Sequence, residues 1–444
     1  LNPRRTKARQ RPLNIASEHL RNGLEVLMLE DHSSPVATVL VWYRVGSRND
    51  PPGKTGIAHL LEHMMFKGTR KRKAEEHSQI VQRMGGSVNA FTYQDGTAYY
   101  AEVPSSQIET ILELEADRMV NNMFREFKTE REVVMEERRR SHDNDPFGAL
   151  HENLVAAAYY AHPYRNPIIG WMDDIRSISL DDLAQYYRTY YRPNNAVALI
   201  TGDIEPKSAL AAIRKHFGAI SNPPLSNHSS HPTGRTRQTG PANPPPMSII
   251  EPPQVGERTV EVIPPTGGTM PMIAYAYRIP PYRSAETPAL DVLSRILSLG
   301  QSSRLYQSLI QDQQLVTDAS GEADFHIDPG LFYFFLHPQQ GKSIDEVRKA
   351  VDSEVARLMA EPVADWELEK ARNQAMADFT YAQDGCSQQG FMLGYVHIMD
   401  SYRRLSTYMA EVGAVTAADV QQIAQKYLQR KHRTVALLLP NSSA

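Results

Sequence analysis

Residues 59–63 read His-Leu-Leu-Glu-His, and this stretch says more about fold and chemistry than any other part of the chain. In a helix, side chains four residues apart lie on one face, so His59 and His63 can bind one metal ion. Glu62 lies one position from His63, near the same face. The order H-x-x-E-H is the reverse of the H-E-x-x-H zinc motif. The stretch therefore predicts a helix that contributes two ligands and one carboxylate to a zinc site.

A third ligand is needed, because a catalytic zinc usually has three protein ligands and keeps one position for water. The helical stretch 130–137 reads Glu-Arg-Glu-Val-Val-Met-Glu-Glu, and its first and last glutamates share a face two turns apart. Spacing alone leaves four candidates for the ligand: Glu130, Glu132, Glu136 and Glu137. The alternative for the motif itself is a pair of helical histidines that is merely packed or solvated on the surface.

The flanks of the motif resemble those of the M16 (pitrilysin-like) metallopeptidases. The resemblance begins with the block 55–69, Thr-Gly-Ile-Ala-His-Leu-Leu-Glu-His-Met-Met-Phe-Lys-Gly-Thr. It continues through residues 85–92, 130–137, 162–164 and 191–196. It implies that Glu137 is the third zinc ligand and that Glu130 is a supporting acid of the catalytic set. It also implies an α+β fold with two homologous halves, each a largely antiparallel sheet covered by helices, which together form a half-shell.

With zinc held by His59, His63 and Glu137, Glu62 can act as the general base of a peptide hydrolysis that has no covalent intermediate. An unfolded peptide presents unpaired backbone groups, which an exposed sheet edge can bind. The segment 87–92, Ser-Val-Asn-Ala-Phe-Thr, is the candidate edge. The resemblance implies that its polar and small residues contact the substrate, and we predict substrate binding by Asn89, Ala90 and Thr92. A plain structural hairpin is the alternative for this segment.

The two parts of the chain share an internal repeat. A capped helix that leads into an apolar strand is predicted at 179–200 and again at 416–439. Between the two parts, residues 221–255 are rich in proline and cannot hold a helix or a central strand. We therefore predict an N-terminal zinc-binding domain over 1–220, a linker over 221–255 and a C-terminal domain over 256–444.

The second half departs from the pattern of complete M16 enzymes, which place an Arg and a Tyr there to bind the substrate carbonyl. In this chain Ile310 and Thr317 stand near those two places, whereas Arg304 and Tyr306 belong to a neighbouring segment and are expected to be structural. Because an oxyanion stabiliser contributes about 3 kcal/mol to a transition state, its loss points to help from another chain. We expect a homologous M16 subunit without zinc ligands as partner; a self-sufficient homodimer and a non-catalytic structural relative are the alternatives.

Composition sets further limits. The 444 residues are long enough for two domains, 41% of them are hydrophobic, and no apolar run is long enough for a membrane span. A net charge of -3 without a basic stripe gives no reason to expect nucleic acid as a partner. A single cysteine, Cys386, excludes an internal disulfide. The basic residues that follow Leu1 are compatible with a processed precursor, and we expect a periplasmic location, with the mitochondrial matrix or the cytoplasm as alternatives.

Overall fold

The computed structural model describes residues 13–222, 247, 249–263 and 270–440. Over these residues the chain is an α+β protein with two β-sheets, which confirms the predicted fold class. Most of the predicted linker over 221–255 lies outside the described residues. The division into two domains and a linker therefore stays a prediction.

The first sheet has six strands in the order β1-β2-β6-β3-β5-β4. They are β1 (Ile15–His19), β2 (Glu25–Glu30), β3 (Val36–Tyr43), β4 (Ser87–Thr92), β5 (Thr97–Pro104) and β6 (Ala196–Gly202). All neighbours are antiparallel except β2 and β6, which run parallel. The central strands β3 and β6 are buried almost throughout. They read as continuous apolar runs because both faces of the sheet are covered.

The second sheet has five strands in the order β7-β11-β8-β10-β9. They are β7 (Arg258–Val262), β8 (Met272–Arg278), β9 (Val316–Asp324), β10 (Leu331–Pro338) and β11 (Arg433–Leu438). Here β7 and β11 are the parallel pair, and every other pair is antiparallel. The order and the pairing repeat those of the first sheet without β1. The duplication seen in the sequence is therefore a duplication of topology.

Helices account for much of the remaining described chain. In the first half they are α1 (Ile57–Met64), α2 (Glu76–Arg83), α3 (Ile108–Asn121), α4 (Phe127–Arg138), α5 (Pro146–Ala158), α6 (Met172–Ser177), α7 (Leu180–Tyr190) and α8 (Pro206–Phe217). In the second half they are α9 (Thr287–Ser298), α10 (Ile344–Ala360), α11 (Asp365–Tyr381), α12 (Cys386–Met399), α13 (Tyr408–Ala414) and α14 (Ala417–Tyr427). None of the described helices combines the length and apolar content that crossing a membrane requires.

The predicted repeat corresponds to α7 followed by β6 and to α14 followed by β11. Ser179 caps α7 and Thr416 caps α14, each through a capping box with an aspartate three residues later. Each cap satisfies backbone N–H groups that the first helical turn leaves without partners. The same local chemistry therefore starts the helix that precedes β6 in the first half and β11 in the second half.

One helix of each half packs against the sheet of the other half. α5 of the first half packs on β7, β8 and β11, and α12 of the second half packs on β3 and β6. The approach of α12 is close at Gly394, where a Cβ atom would lie 2.3 Å from Cε2 of the fully buried Trp42. The exchange buries apolar side chains of both halves in two shared clusters. Burial of this kind is the main force that holds the halves together.

A buried polar network also joins the halves, beside the turn that follows β4. The carboxylate of Asp95 accepts hydrogen bonds from Arg48 at 2.8 Å and from the hydroxyl of Tyr164 at 2.5 Å. From the second half, Nδ1 of His326 lies 3.3 Å from the same carboxylate, and Asp328 pairs with Arg48 at 2.6 Å. Charges buried to this degree are tolerated only when they are paired, so the network fixes how the two halves meet.

Candidate metal centre and active site

Helix α1 presents one apolar face and one reactive face. Its apolar side chains, among them Leu60 and Leu61, are buried in the core of the first half, which leaves His59, Glu62 and His63 on the other side. Because i and i+4 side chains stand above each other on a helix, the two histidine rings lie next to each other with centroids 4.8 Å apart. The helix thus displays the motif towards a cleft.

The start of α1 is fixed by two residues that precede the motif. Gly56 has a φ of 87°, and a Cβ atom there would lie 2.2 Å from the carbonyl oxygen of Ile169. The buried carboxylate of Asp50 accepts hydrogen bonds from the backbone N–H groups of Gly56 at 2.7 Å and of Ala58 at 3.2 Å. These contacts set the direction in which α1 leaves the loop, and with it the direction of the histidines.

Helix α4 brings Glu137 to the two histidines. Oε1 of Glu137 lies 3.8 Å from Nε2 of His59, and Oε2 lies 3.5 Å from Nε2 of His63. The three ligand atoms, one from each residue, lie within 4.8 Å of one another. Two tetrahedral zinc ligands with bonds near 2.1 Å lie about 3.4 Å apart. The contacts of Glu137 with the two histidines, at 3.5 and 3.8 Å, are near that spacing, so the set fits a zinc ion. Two imidazoles and one carboxylate are also a common donor set of catalytic zinc.

Glu130 contacts one of the candidate ligands, His63, and does not reach the metal position itself. Nδ1–H of His63 donates to Oε1 of Glu130 at 2.9 Å, and the other oxygen of Glu130 pairs with Nζ of Lys67 at 2.9 Å. A histidine that binds metal through one ring nitrogen commonly donates the other to a carboxylate, which fixes its tautomer and orientation. Glu130 does not border the cleft, so its contact is with a ligand and not with a substrate.

The other two candidate glutamates point away from the histidines. Glu132 and Glu136 are exposed, and Glu136 pairs with Arg139 at 2.7 Å. The turn angle of the helix is the reason, because positions 130 and 137 share a face that positions 132 and 136 do not. The helical repeat thus sets Glu132 and Glu136 apart from Glu130 and Glu137, and tertiary packing decides that Glu137 is the one that reaches Nε2 of both histidines.

The protonation of the two histidines differs. Burial, together with the neighbouring His63, lowers the pKa of His59 to about 4, which leaves its imidazole neutral and able to coordinate a metal. Burial alone would also lower the pKa of His63, but the hydrogen bonds to Glu130 and Glu137 raise it to about 9. The hydrogen bond to His63 lowers the pKa of Glu137.

Glu62 stands beside the ligand set and does not belong to it. Burial raises the pKa of its carboxyl group, although hydrogen bonds from Thr92 oppose this shift. The hydroxyl of Thr92 donates to Oε2 of Glu62 at 2.7 Å. A carboxyl group with a raised pKa accepts a proton more readily than an ordinary glutamate and can return it afterwards.

A cleft of about 500 Å³ opens in front of these residues. His59, Glu62 and Glu137 form part of its wall, and the rest includes the end of β4 and residues of α5. This volume is in the ordinary range for ligand sites. A larger cavity of about 840 Å³ lies in the second half between Arg283 and Ile423. We assign the site by its donor chemistry and not by its size.

The predicted substrate residues lie on β4, the outermost strand of the first sheet, which among the described residues pairs with β5 alone. Asn89 is exposed, and its side-chain oxygen accepts from the N–H of Ala90 at 2.9 Å. Ala90 and Thr92 border the cleft. The structure thus brings Ala90 and Thr92 to the cleft that holds Glu62, whereas Asn89 does not border it. The hydroxyl of Thr92 is already engaged by the carboxylate of Glu62.

The two second-half positions that differ from complete M16 enzymes offer neither a cation nor a phenol. Ile310 packs against the core of the second half, and Thr317 is an exposed residue of β9 whose hydroxyl donates to the carbonyl of His337 at 3.3 Å. The nearby Arg304 is tied to Glu367 by two hydrogen bonds of 2.7 and 2.8 Å. Arg304 therefore has the structural role that the sequence predicted.

Several residues of the site were missed by sequence reasoning. The capping carboxylate of Asp50, the contact between Thr92 and Glu62 and the pairing of Lys67 with Glu130 were not foreseen. His142 and His151, which also border the cleft, were not singled out either. Lys67 lies four residues after His63, and that helical spacing was the one local signal available.

Comparison with known proteins agrees with the geometry. A family profile described as "Insulinase (Peptidase family M16)" matches residues 25–171, and one described as "Peptidase M16 inactive domain" matches residues 177–375. The chain is 32% identical over 424 residues to a zinc protease of Helicobacter pylori named PqqE, covering 95% of this chain and 92% of that protein. It is 27% identical over 435 residues to a probable mitochondrial-processing peptidase subunit beta of Arabidopsis thaliana, covering 95% and 77%.

Solved structures show the same relationship. The crystal structure of a protease from Helicobacter pylori superimposes with a TM-score of 0.89 and 30% identity, covering 96% of this chain and all of that one. A peptidase M16 inactive domain from Pseudomonas fluorescens has the same fold, with a TM-score of 0.81 at 18% identity and coverages of 97% and 98%. The predicted family is thereby confirmed. This chain belongs to peptidase family M16.

Proposed function

We propose that this chain is a zinc-dependent endopeptidase that hydrolyses peptides or unfolded segments. One observation carries the proposal: His59, His63 and Glu137 bring their ligand atoms together, and Glu62 stands beside them in one cleft. A complete ligand set argues against the alternative of a non-catalytic relative, since nothing in a purely structural role calls for it. The names of the curated relatives support the same class of activity.

In this mechanism each side chain has a separate task. A zinc ion bound by the three ligands would supply a water of lowered pKa and a Lewis acid for the scissile carbonyl. Glu62 takes the proton of the attacking water and returns it to the departing amine. Glu130 holds the ring of His63 in place through Nδ1. Asn89 and Ala90 align the substrate main chain along the free edge of β4.

We propose further that the zinc-bearing chain works with a second M16 subunit that lacks zinc ligands. The support is the identity of residues 310 and 317, since isoleucine and threonine cannot stabilise an oxyanion as arginine and tyrosine do. The name of the Arabidopsis relative, a subunit beta, fits an assembly of this kind. A homodimer that relies on zinc and Glu62 alone is the second candidate. A periplasmic location stays part of this proposal.

Zinc content and cleavage of a quenched peptide library test the proposal. The purified chain is assayed alone and mixed with its nearest homologue from the same source, with Glu62→Gln as control. We expect bound zinc in every sample and strong cleavage only in the mixture, abolished by Glu62→Gln. Strong cleavage by the chain alone would refute the partner requirement, and absence of bound zinc would refute the peptidase itself.

A further inference from the structure

Thr92 makes two contacts with the proposed general base. Its hydroxyl donates to Oε2 of Glu62 at 2.7 Å, and its backbone N–H faces the same carboxyl group and lowers its pKa. Thr92 is the last residue of β4, and its side chain is half-buried. A hydrogen bond to an ionised carboxylate is stronger and better oriented than one between neutral groups. Glu62 is thus held by a strand that lies 30 residues away in the sequence.

The hairpin that joins β4 to β5 explains why Thr92 faces Glu62. The N–H of Tyr93 donates to the carbonyl of Gly96 at 2.9 Å, and Thr92 stands opposite Thr97 in the register. In an antiparallel pair the backbone groups of alternate residues turn towards the partner strand and away from it. Thr92 and Ala90 are therefore the residues whose backbone groups turn to the free edge. At Thr92 that edge meets Glu62, and at Ala90 the backbone N–H donates to Oδ1 of Asn89 at 2.9 Å, a local contact that a bound peptide would replace.

We infer that Thr92 is a positioning residue for Glu62 and not a contact of the substrate, an inference that rests on the proposed peptidase function. The strand β4 then holds both the bound peptide and the carboxylate of Glu62. The hydroxyl of Thr92 prevents Glu62 from rotating away from the reacting water. Without this hydroxyl the Glu62 carboxylate can still accept a proton, but its orientation is no longer fixed. The fraction of bound complexes that can react is then lower.

Thr92→Val removes the hydroxyl and keeps the shape of the side chain, and Thr92→Ser restores the hydroxyl. We expect Thr92→Val to lower kcat by about 10- to 100-fold, as for a lost hydrogen bond to a charged group, while KM changes by less than about twofold. Thr92→Ser should recover most of kcat. Thr259→Val is the matched control, because Thr259 is an exposed residue of the edge strand β7 in the other sheet. It should leave both constants unchanged.

A second measurement separates positioning from substrate binding. In an inactive Glu62→Gln background, adding Thr92→Val should leave the Kd for a labelled peptide within about twofold, because the base is already disabled. A clear rise in Kd, or a rise in KM with kcat intact, would assign Thr92 to the substrate and overturn the inference. Bound zinc and the melting temperature are measured for every variant, and Thr92→Ala replaces Thr92→Val if the latter fails to fold.

The two levels of failure are distinguishable. If the wild type cleaves no peptide with any partner, or if Glu62→Gln has no effect, the proposed function is wrong. If the wild type is a zinc peptidase that depends on Glu62 and Thr92→Val retains full kcat, only the role of Thr92 is wrong.

Discussion

Nδ1 of His63 lies 2.9 Å from Oε1 of Glu130, and the second oxygen of that carboxylate lies 2.9 Å from Nζ of Lys67. The glutamate thus connects a candidate zinc ligand to a cation that is itself largely sheltered from solvent. Lys67 and His63 lower the pKa of Glu130 against the opposing effect of burial. The carboxylate therefore stays ionised and keeps His63 in the orientation that the metal needs.

Neutralising this carboxylate should weaken metal binding. We expect Glu130→Gln to reduce zinc affinity by about 10- to 100-fold, because a ligating histidine loses its charged partner. Glu137→Gln should reduce zinc affinity more strongly, since it alters a ligand itself. Competition with a chromophoric chelator measures both. Glu136→Gln, an exposed neighbour on the same helix, is the control and should bind zinc like the wild type. Equal affinities for the wild type and Glu130→Gln would contradict the assigned role.

Removing the metal should lower the thermal stability of the first half. A ligand present at a hundred times its Kd stabilises the folded state by about 2.7 kcal/mol. We therefore expect a chelator to lower the melting temperature of the zinc-loaded wild type and added zinc to restore it. Calorimetry of Glu137→Gln provides the comparison, because its melting temperature should respond to neither treatment. A chelator effect of equal size in that variant would place the stabilising metal elsewhere.

The contact between Gly394 and Trp42 should tolerate no added methyl group. A Cβ atom at 394 would lie 2.3 Å from Cε2 of a fully buried ring that has no room to move. We expect Gly394→Ala to destabilise the protein by about 2 kcal/mol or more, as overpacking does. Gly413→Ala in α13 is the matched control, because its Cβ would meet no atom within 4 Å. Chemical unfolding of both variants measures the difference, and equal stabilities would show that α12 can shift.

The network at the junction of the halves should make stability depend on pH. Burial alone would lower the pKa of His326, but Asp324 and Asp95 raise it to about 10. The same network contains Arg48, Tyr164 and Asp328. Because this pKa lies above that of the unfolded chain, the charged imidazole stabilises the fold fully below about pH 6.5 and progressively less as the pH rises towards 10. We expect His326→Gln to cost about 3 kcal/mol at pH 6 and distinctly less at pH 10.

Denaturant unfolding at the two pH values measures this loss. His337→Gln is the control, since His337 is about one-third exposed and lies 3.6 Å from its nearest carboxylate, Asp318. The stability of that variant relative to the wild type should change little between the two pH values. A cost of His326→Gln that is the same at pH 6 and pH 10 would show that His326 is neutral in the folded protein.

Much of the fold and of the metal site could be predicted from local patterns. The helical spacing of His59 and His63, the capped helices that start at Ser179 and Thr416, and the apolar strands that follow them all depend on neighbours within a few residues. The duplication followed from repeating those patterns. The choice of Glu137 needed the family resemblance, because helical spacing treats several glutamates of residues 130–137 alike.

The sequence by itself determined the family, the α+β class and the side chains able to bind zinc, because these are written in short-range spacing and residue type. Only the tertiary structure decided which other residues contact and orient these side chains. The hydroxyl of Thr92 reaches Glu62, Asp95 meets His326 and Gly394 meets Trp42 across long stretches of chain. Such contacts depend on sheet register and on the exchange of α5 and α12 between the halves, and side-chain periodicity carries no information about either.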